Sequence, residues 1–181
     1  MDIYKVKFTK LQQEILRFFF IKSGISFNER GVARHLKVSP TAVSNSLVRL
    51  EKEELLKVEK DRESKRLSIS LNKGNPKGFA LKRIENLKLI YESGLADFLS
   101  EQFPEATIIL FGSYAFGEDA ASSDIDIAII GSKEKTIDAL KYAKMLERDI
   151  NFNFYRNFKS IQKNLLSNIV NGITLAGGVQ L

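Results

Sequence analysis

Asp124 and Asp126 stand one residue apart at the head of an apolar run, SSDIDIAII. On an extended chain, residues two apart share a face, so both carboxylates point one way while Ile125, Ile127 and Ile129 point the other. Two carboxylates side by side on a rigid strand repel each other and are tolerated most readily with a divalent cation between them. Oxygen donors without His or Cys favour Mg²⁺ or Mn²⁺. Ten residues separate Asp124 from Gly112-Ser113, which closes a second apolar run, ATIILF. A glycine there lets a phosphate approach the backbone, and a following helix would aim its N–H groups at it. Neither signal is specific alone. Acidic residues commonly flank strands, and a purely structural carboxylate pair is the competing reading. The specific pattern is their sequence: strand, Gly-Ser, ten residues, then Asp-x-Asp opening another strand.

Several elements must position these residues. Ile108 to Phe111 is continuously apolar, as suits a strand buried on both faces. Ile125 to Ile130 forms the next strand. Helical segments are expected over roughly 79–103, with Leu81, Ile84, Leu87, Leu89 and Ile90, then Leu95, Phe98 and Leu99. A helix through Ile137, Leu140 and Leu146 leads into DINFNFY. In that strand Ile150, Phe152 and Phe154 face one way, and Asp149, Asn151, Asn153 and Tyr155 the other. A helix over 158–172, with Ile161, Leu165 and Ile169, and a short strand follow.

The charge is unevenly distributed. The 181 residues carry 28 Lys+Arg and 22 Asp+Glu, a formal net of +6. Residues 1–77 hold 17 basic and 9 acidic residues, and residues 78–181 hold 11 and 13. The excess positive charge therefore lies in the first part and suits a polyanionic partner, although solvated helix faces would also read this way. The change falls at NKGNPKG, residues 72–78, a cluster of loop formers that divides the chain into domains 1–77 and 78–181.

The first part reads as three helices and a hairpin. Thr9 caps a first helix with Gln12 completing a capping box, and Leu11, Ile15, Phe18 and Phe19 form its core stripe. Ser26 and Glu29 give another capping-box pattern before a short helix with Val32, Ala33 and Leu36. Ser39-Pro40 starts a third helix, which buries Val43, Leu47 and Leu50. Its other face offers Thr41, Ser44, Asn45 and Arg49, short polar groups and a cation suited to base edges and phosphates. Val58, then Leu67, Ile69 and Leu71, alternate as strands around a charged tip with Arg62, Lys65 and Arg66.

Composition excludes several chemistries. There is no Cys, so disulfides, thiolate zinc sites and cysteine nucleophiles are ruled out. The single His35 cannot build a polyhistidine site and reads as a packing or surface residue. No apolar run approaches the length of a membrane span of about 20 residues. The start, MDIYKVKFTK, lacks a stretch suited to a signal peptide. A cytoplasmic location without membrane association is the expectation.

The segment FNERGVARHLKVSPTAVSNSLVRLEKEELLKVEKDRESKRLSIS resembles the winged helix-turn-helix family, of the kind seen in MarR-like regulators, over about residues 9–72. That resemblance implies double-stranded DNA as partner, with the third helix in the major groove, the hairpin as wing, and a possible homodimer. The alternative is a winged helix used for protein docking. FGSYAFGEDAASSDIDIAII resembles the nucleotidyltransferase superfamily that includes DNA polymerase beta, most closely its minimal branch, over about residues 95–176. The implied fold class is α+β: an N-terminal winged helix-turn-helix and a C-terminal nucleotidyltransferase domain with a small mixed sheet flanked by helices. Gly112 and Ser113 would hold the phosphates of an NTP. Asp124 and Asp126 would be the catalytic, metal-holding pair for Mg²⁺ (or Mn²⁺), transferring a nucleotidyl group to a protein or small-molecule hydroxyl. Relatives of this branch act as antitoxins on a partner toxin protein. Two positions depart from the pattern. Phe116 stands where Arg is common, and the third carboxylate aligns with Asn151, leaving Asp149 as its substitute. A non-enzymatic transcriptional regulator with a degenerate nucleotide-binding domain is the rival implication.

Overall fold

The computed structural model describes residues 7–60 and 67–179. The chain forms two compact units, Met1–Phe79 and Ala80–Leu181.

The first unit contains helices α1 (Lys10–Ile21), α2 (Glu29–Leu36) and α3 (Pro40–Lys52), then strands β1 (Leu56–Lys60) and β2 (Leu67–Leu71). The Thr9–Gln12 capping box starts α1, with both reciprocal bonds made. Ser39 caps α3 with Pro40 at the first helical position. At α2 the cap is Asn28, whose side chain accepts from the Gly31 N–H at 2.8 Å, and not Ser26. Phe27 explains the shift: its backbone pairs with Ile69, so the chain at 27 is still extended and the helix starts two residues later than the Ser26 pattern implied. β1 and β2 are antiparallel, and the Phe27–Ile69 bridge ties the hairpin to the helices. Ile15, Phe19, Val32, Val43, Leu50 and Ile69 are wholly buried and form the core. His35 lies on the surface against Phe18 and Phe27, with ring centroids 5.1 and 5.8 Å away. Arg62, Lys65 and Arg66 lie outside the described residues.

Helix α4 (Pro76–Glu92) begins inside the segment expected to be loop, and α5 (Leu95–Gln102) follows it. The second unit is built on a four-stranded mixed sheet in the order β5-β4-β3-β6, with β3 Thr107–Phe111, β4 Ile125–Ile130, β5 Ile150–Tyr155 and β6 Ile173–Ala176. β3 runs antiparallel to β4 and β6, while β4 and β5 are parallel. Ile108 and Leu110 pack into one core with Ile125, Ile127, Ile129, Ile90, Leu99 and Tyr142. Ile109 and Phe111 pack into the opposite layer with Ala128, Ile130, Phe158 and Ile169. β3 is thus buried on both faces, as its unbroken apolar run implies.

Three helical expectations need correction. Ile84 and Leu140 are 64% and 62% exposed and contribute nothing to the core. Helix α7 spans only Leu140–Leu146, so Ile137 packs on the core from the preceding coil. The segment after β5 is a 3₁₀ turn (Phe158–Ser160) and a separate helix α8 (Lys163–Val170), because Asn157 caps the turn and Ile161 is extended.

Candidate functional site

Strand register places the chemistry at one end of the sheet. Phe111 pairs with Asp126, and Asp126 pairs with Asn151 on the next strand. Asp126 shares its face with Ala128 and Ile130, while Ile125, Ile127 and Ile129 enter the other core, so the expected alternation holds. Asp124 is exposed and Asp126 half-buried. The Asn151 carboxamide reaches across from β5. Its Nδ2 donates to Asp124 Oδ2 at 3.0 Å and, over a longer 3.4 Å, to Asp126 Oδ1. Residue 151, where the sequence resemblance implied a third carboxylate, is thus a neutral donor that softens the repulsion between the two aspartates.

Gly112 opens α6 (Gly112–Phe116) directly after β3. Its φ is +73°, and a Cβ there would stand 2.6 Å from Asp126 Oδ2. The left-handed backbone favours glycine, and a side chain there would also force the Asp126 carboxylate to turn aside. Ser113 follows, half-buried. Phe116, in the place where Arg is common, lies under the Arg83 guanidinium, 5.7 Å from its ring centroid. Asp149 precedes β5 and is exposed. Its carbonyl accepts from the Ile125 N–H at 2.8 Å. A cleft of about 310 Å³ is bordered by Ser123, Asp124, Lys144, Arg148 and Asp149.

Next to α6 and the lead into β5 lies a buried polar group of residues that sequence reasoning missed. Lys82, Asn86, Asp119 and Arg148 are all buried. Asp119 Oδ1 accepts from Lys82 Nζ and, at 2.7 Å, from Asn86 Nδ2, and Oδ2 accepts from Arg148 at 3.3 Å. Asn86 also donates to the Tyr114 carbonyl of α6 at 2.9 Å. Burial, and then the charge of Asp119, push the Tyr114 phenol well above its ordinary range, so it stays neutral.

In the first unit, Thr41, Asn45 and Arg49 lie exposed on α3, with Ser44 half-buried beside them. The same surface carries Val48, 68% exposed, which the sequence reading did not single out. Exposed Arg30 and Arg34, one turn apart on α2, border a hollow of about 760 Å³ that reaches Leu67, the first residue of β2. Their i,i+4 spacing was the available signal.

A family model described as Nucleotidyltransferase domain matches residues 92–169. The second unit thus contains a segment that matches a nucleotidyltransferase domain, and the first has the three-helix-and-hairpin order of a winged helix-turn-helix, the combination that the sequence resemblances implied. No curated protein matches the chain. Among solved structures it is similar to a mutant form of Lactococcus lactis ZitR, at 23% identity and a TM-score of 0.42, over 55% of this chain and 64% of that one. It therefore spans less than two thirds of that protein's length. The adhesin competence repressor AdcR of Streptococcus pyogenes matches at 18% identity and 0.42, over 54% and 69% of the two chains. MepR, a transcription regulator of the Staphylococcus aureus multidrug efflux pump MepA, matches at 21% and 0.40, over 52% and 66%. Among the described residues no helix is long and apolar enough to cross a membrane.

Proposed function

We propose that the chain is a DNA-binding transcriptional regulator whose second unit binds an NTP with Mg²⁺ (or Mn²⁺) and does not transfer it. The observation that carries this reading is Asn151, whose amide donates to both Asp124 and Asp126. A carboxamide adds no negative charge for a second cation and accepts no proton at neutral pH, so residue 151 supplies no general base for a transfer reaction. Among the described residues no three His, Asp or Glu side chains converge to cage a cation. Mg²⁺ commonly takes one or two carboxylates and completes its shell with substrate phosphates and water. Asp124 and Asp126 fit that role, and a bound Mg²⁺ would neutralise triphosphate charge. Gly112 leaves the backbone open beside Asp126, and Ser113 offers a hydroxyl and N–H to the phosphates.

The first unit supplies the DNA reader. Thr41, Ser44, Asn45 and Arg49 on α3 would read bases and backbone, and Arg62, Lys65 and Arg66 would supply charge for the phosphates. The wing arginines and lysine enter from the sequence alone, and the exposure of α3's polar face supports the rest.

A second reading, nucleotidyl transfer to a protein or small-molecule hydroxyl, such as one on a partner toxin, is favoured by one feature. Asp149 and Asp124 border the same cleft, where an acceptor hydroxyl would meet a carboxylate base. Calorimetric titration of the full chain with each Mg²⁺·NTP tests the main reading. Binding should be present in the wild type and lost in Asp124→Asn and Asp126→Asn, with no modified product by mass spectrometry. Unchanged affinity in both variants would remove the pair from the site. Turnover abolished by Asp149→Asn would establish the second reading.

A further inference from the structure

The Asp119 cluster joins three segments that each carry part of the carboxylate face. Asp119 lies on the loop between α6 and β4, five residues before Asp124, and is 1% exposed. That loop is compact: the Ala120 N–H donates to Ser123 Oγ at 2.9 Å, and the Ser123 N–H returns to the Ala120 carbonyl at 3.0 Å. Arg148, 6% exposed, holds Asp119 Oδ2 and sits three residues before Asn151. Asn86 bonds both Asp119 and the carbonyl of Tyr114, two residues after Gly112. The lead into β4, the lead into β5 and the turn of α6 therefore meet at one buried carboxylate.

We propose that Asp119 is a positioning residue for the carboxylate face. Through its loop it fixes Asp124, and through Arg148 it fixes the start of β5, so that the Asn151 amide lies between Asp124 and Asp126. The consequence for ligand affinity rests on the nucleotide-binding reading above; the positioning itself does not. Groups that orient ligating side chains commonly change metal affinity 10- to 100-fold when removed. Lys82 and Asn86 lie before the segment that the nucleotidyltransferase family model matches, so this bracing is added from α4.

The test uses the full chain, with the side-chain amide ¹⁵N–¹H resonances of Asn151, identified by their disappearance in Asn151→Asp, and Mg²⁺·ATP as the binding probe. In folded Asp119→Asn the Asn151 amide resonances should move, and Mg²⁺·ATP affinity should fall at least about tenfold. Removing a buried carboxylate beside two cations endangers folding. If that variant does not fold, Arg148→Lys keeps the charge, loses the guanidinium fork and should move the same resonances. Lys82→Met removes one of the two α4 side chains that bond Asp119 and leaves Asn86; it should lower the melting temperature while leaving the Asn151 amide in place. Unmoved Asn151 resonances in folded Asp119→Asn or in Arg148→Lys would overturn the proposal. So would an equal displacement in Lys82→Met, which would make the cluster a general brace. A wild type that ignores Mg²⁺·ATP and the other three Mg²⁺·NTPs while its Asn151 amide responds to Asp119→Asn would retain the positioning role and discard the nucleotide reading.

Discussion

A carboxamide and a carboxylate have nearly the same shape, so putting Asp for Asn at position 151 would change charge and proton chemistry while leaving the strand register intact. Asn151 pairs with Asp126 across the parallel β4–β5 ladder, and its amide bonds both aspartates. Asn151→Asp should therefore place three carboxylates together, weaken the fold through like-charge repulsion when no cation is present, and raise Mg²⁺ affinity by about tenfold or more. Melting temperatures with and without Mg²⁺ check this. The expected variant melts below the wild type without the ion and gains more from adding it, whereas an equal Mg²⁺ response in both proteins would contradict the geometry. Asp126 and Asn151 were legible from the sequence because period-two alternation fixes which side chains share a strand face. The cross-strand bond was not, since register between β4 and β5 depends on α7 and its flanking coil.

At the scale of elements, α3 shows how side-chain charge fastens a helix end. Glu53, the residue just past α3, accepts from Lys7 and from Lys77 Nζ at 2.8 Å. Hydrogen bonds from Lys7 and then Lys77 lower its pKa from the ordinary 4.5 to about 2. A depressed carboxylate pKa adds stability above the unfolded value and loses it as pH falls through the folded one. The melting temperature of Glu53→Gln should accordingly lie below that of the wild type at neutral pH. The gap should close as pH drops from 4.5 towards 2. A gap that persists at the acid end of that window would assign the effect to packing.

Helix α4 marks the limit of sequence reading at this scale. Helical periodicity treats Ile84 as a core residue and Lys82 as a surface one, yet Ile84 is 64% exposed and Lys82 fully buried. The inversion exists because Asp119, 37 residues downstream, gives the lysine a buried counter-charge. A pattern built on hydropathy has no access to a partner that distant. The Thr9 capping box and the strand runs survived because their causes are local; the start of α2 did not, because a bridge to Ile69 held residue 27 extended.

For the whole molecule, the two units divide the charge. The excess of basic residues lies within residues 1–77, where α3 and the wing stand. Duplex DNA affinity should fall steeply as salt rises, with a log–log slope near about −0.9 for each phosphate neutralised. Replacing Arg62, Lys65 and Arg66 with Ala should weaken binding on every sequence, whereas changing Ser44 or Asn45 should alter sequence preference. Fluorescence anisotropy over a salt series reads both effects, and salt-independent binding would contradict the assignment of α3 and the wing.

The second unit is proposed to hold a nucleotide and leave it intact. Phosphorus NMR of the full chain with Mg²⁺ and each NTP in turn, followed over hours, reads binding and turnover in one sample. The expected result is a protein-dependent shift or broadening of the triphosphate resonances of at least one NTP, absent in Asp126→Asn, with no pyrophosphate signal. Pyrophosphate that accumulates with the wild type, or triphosphate resonances that never respond to it, would contradict the claim.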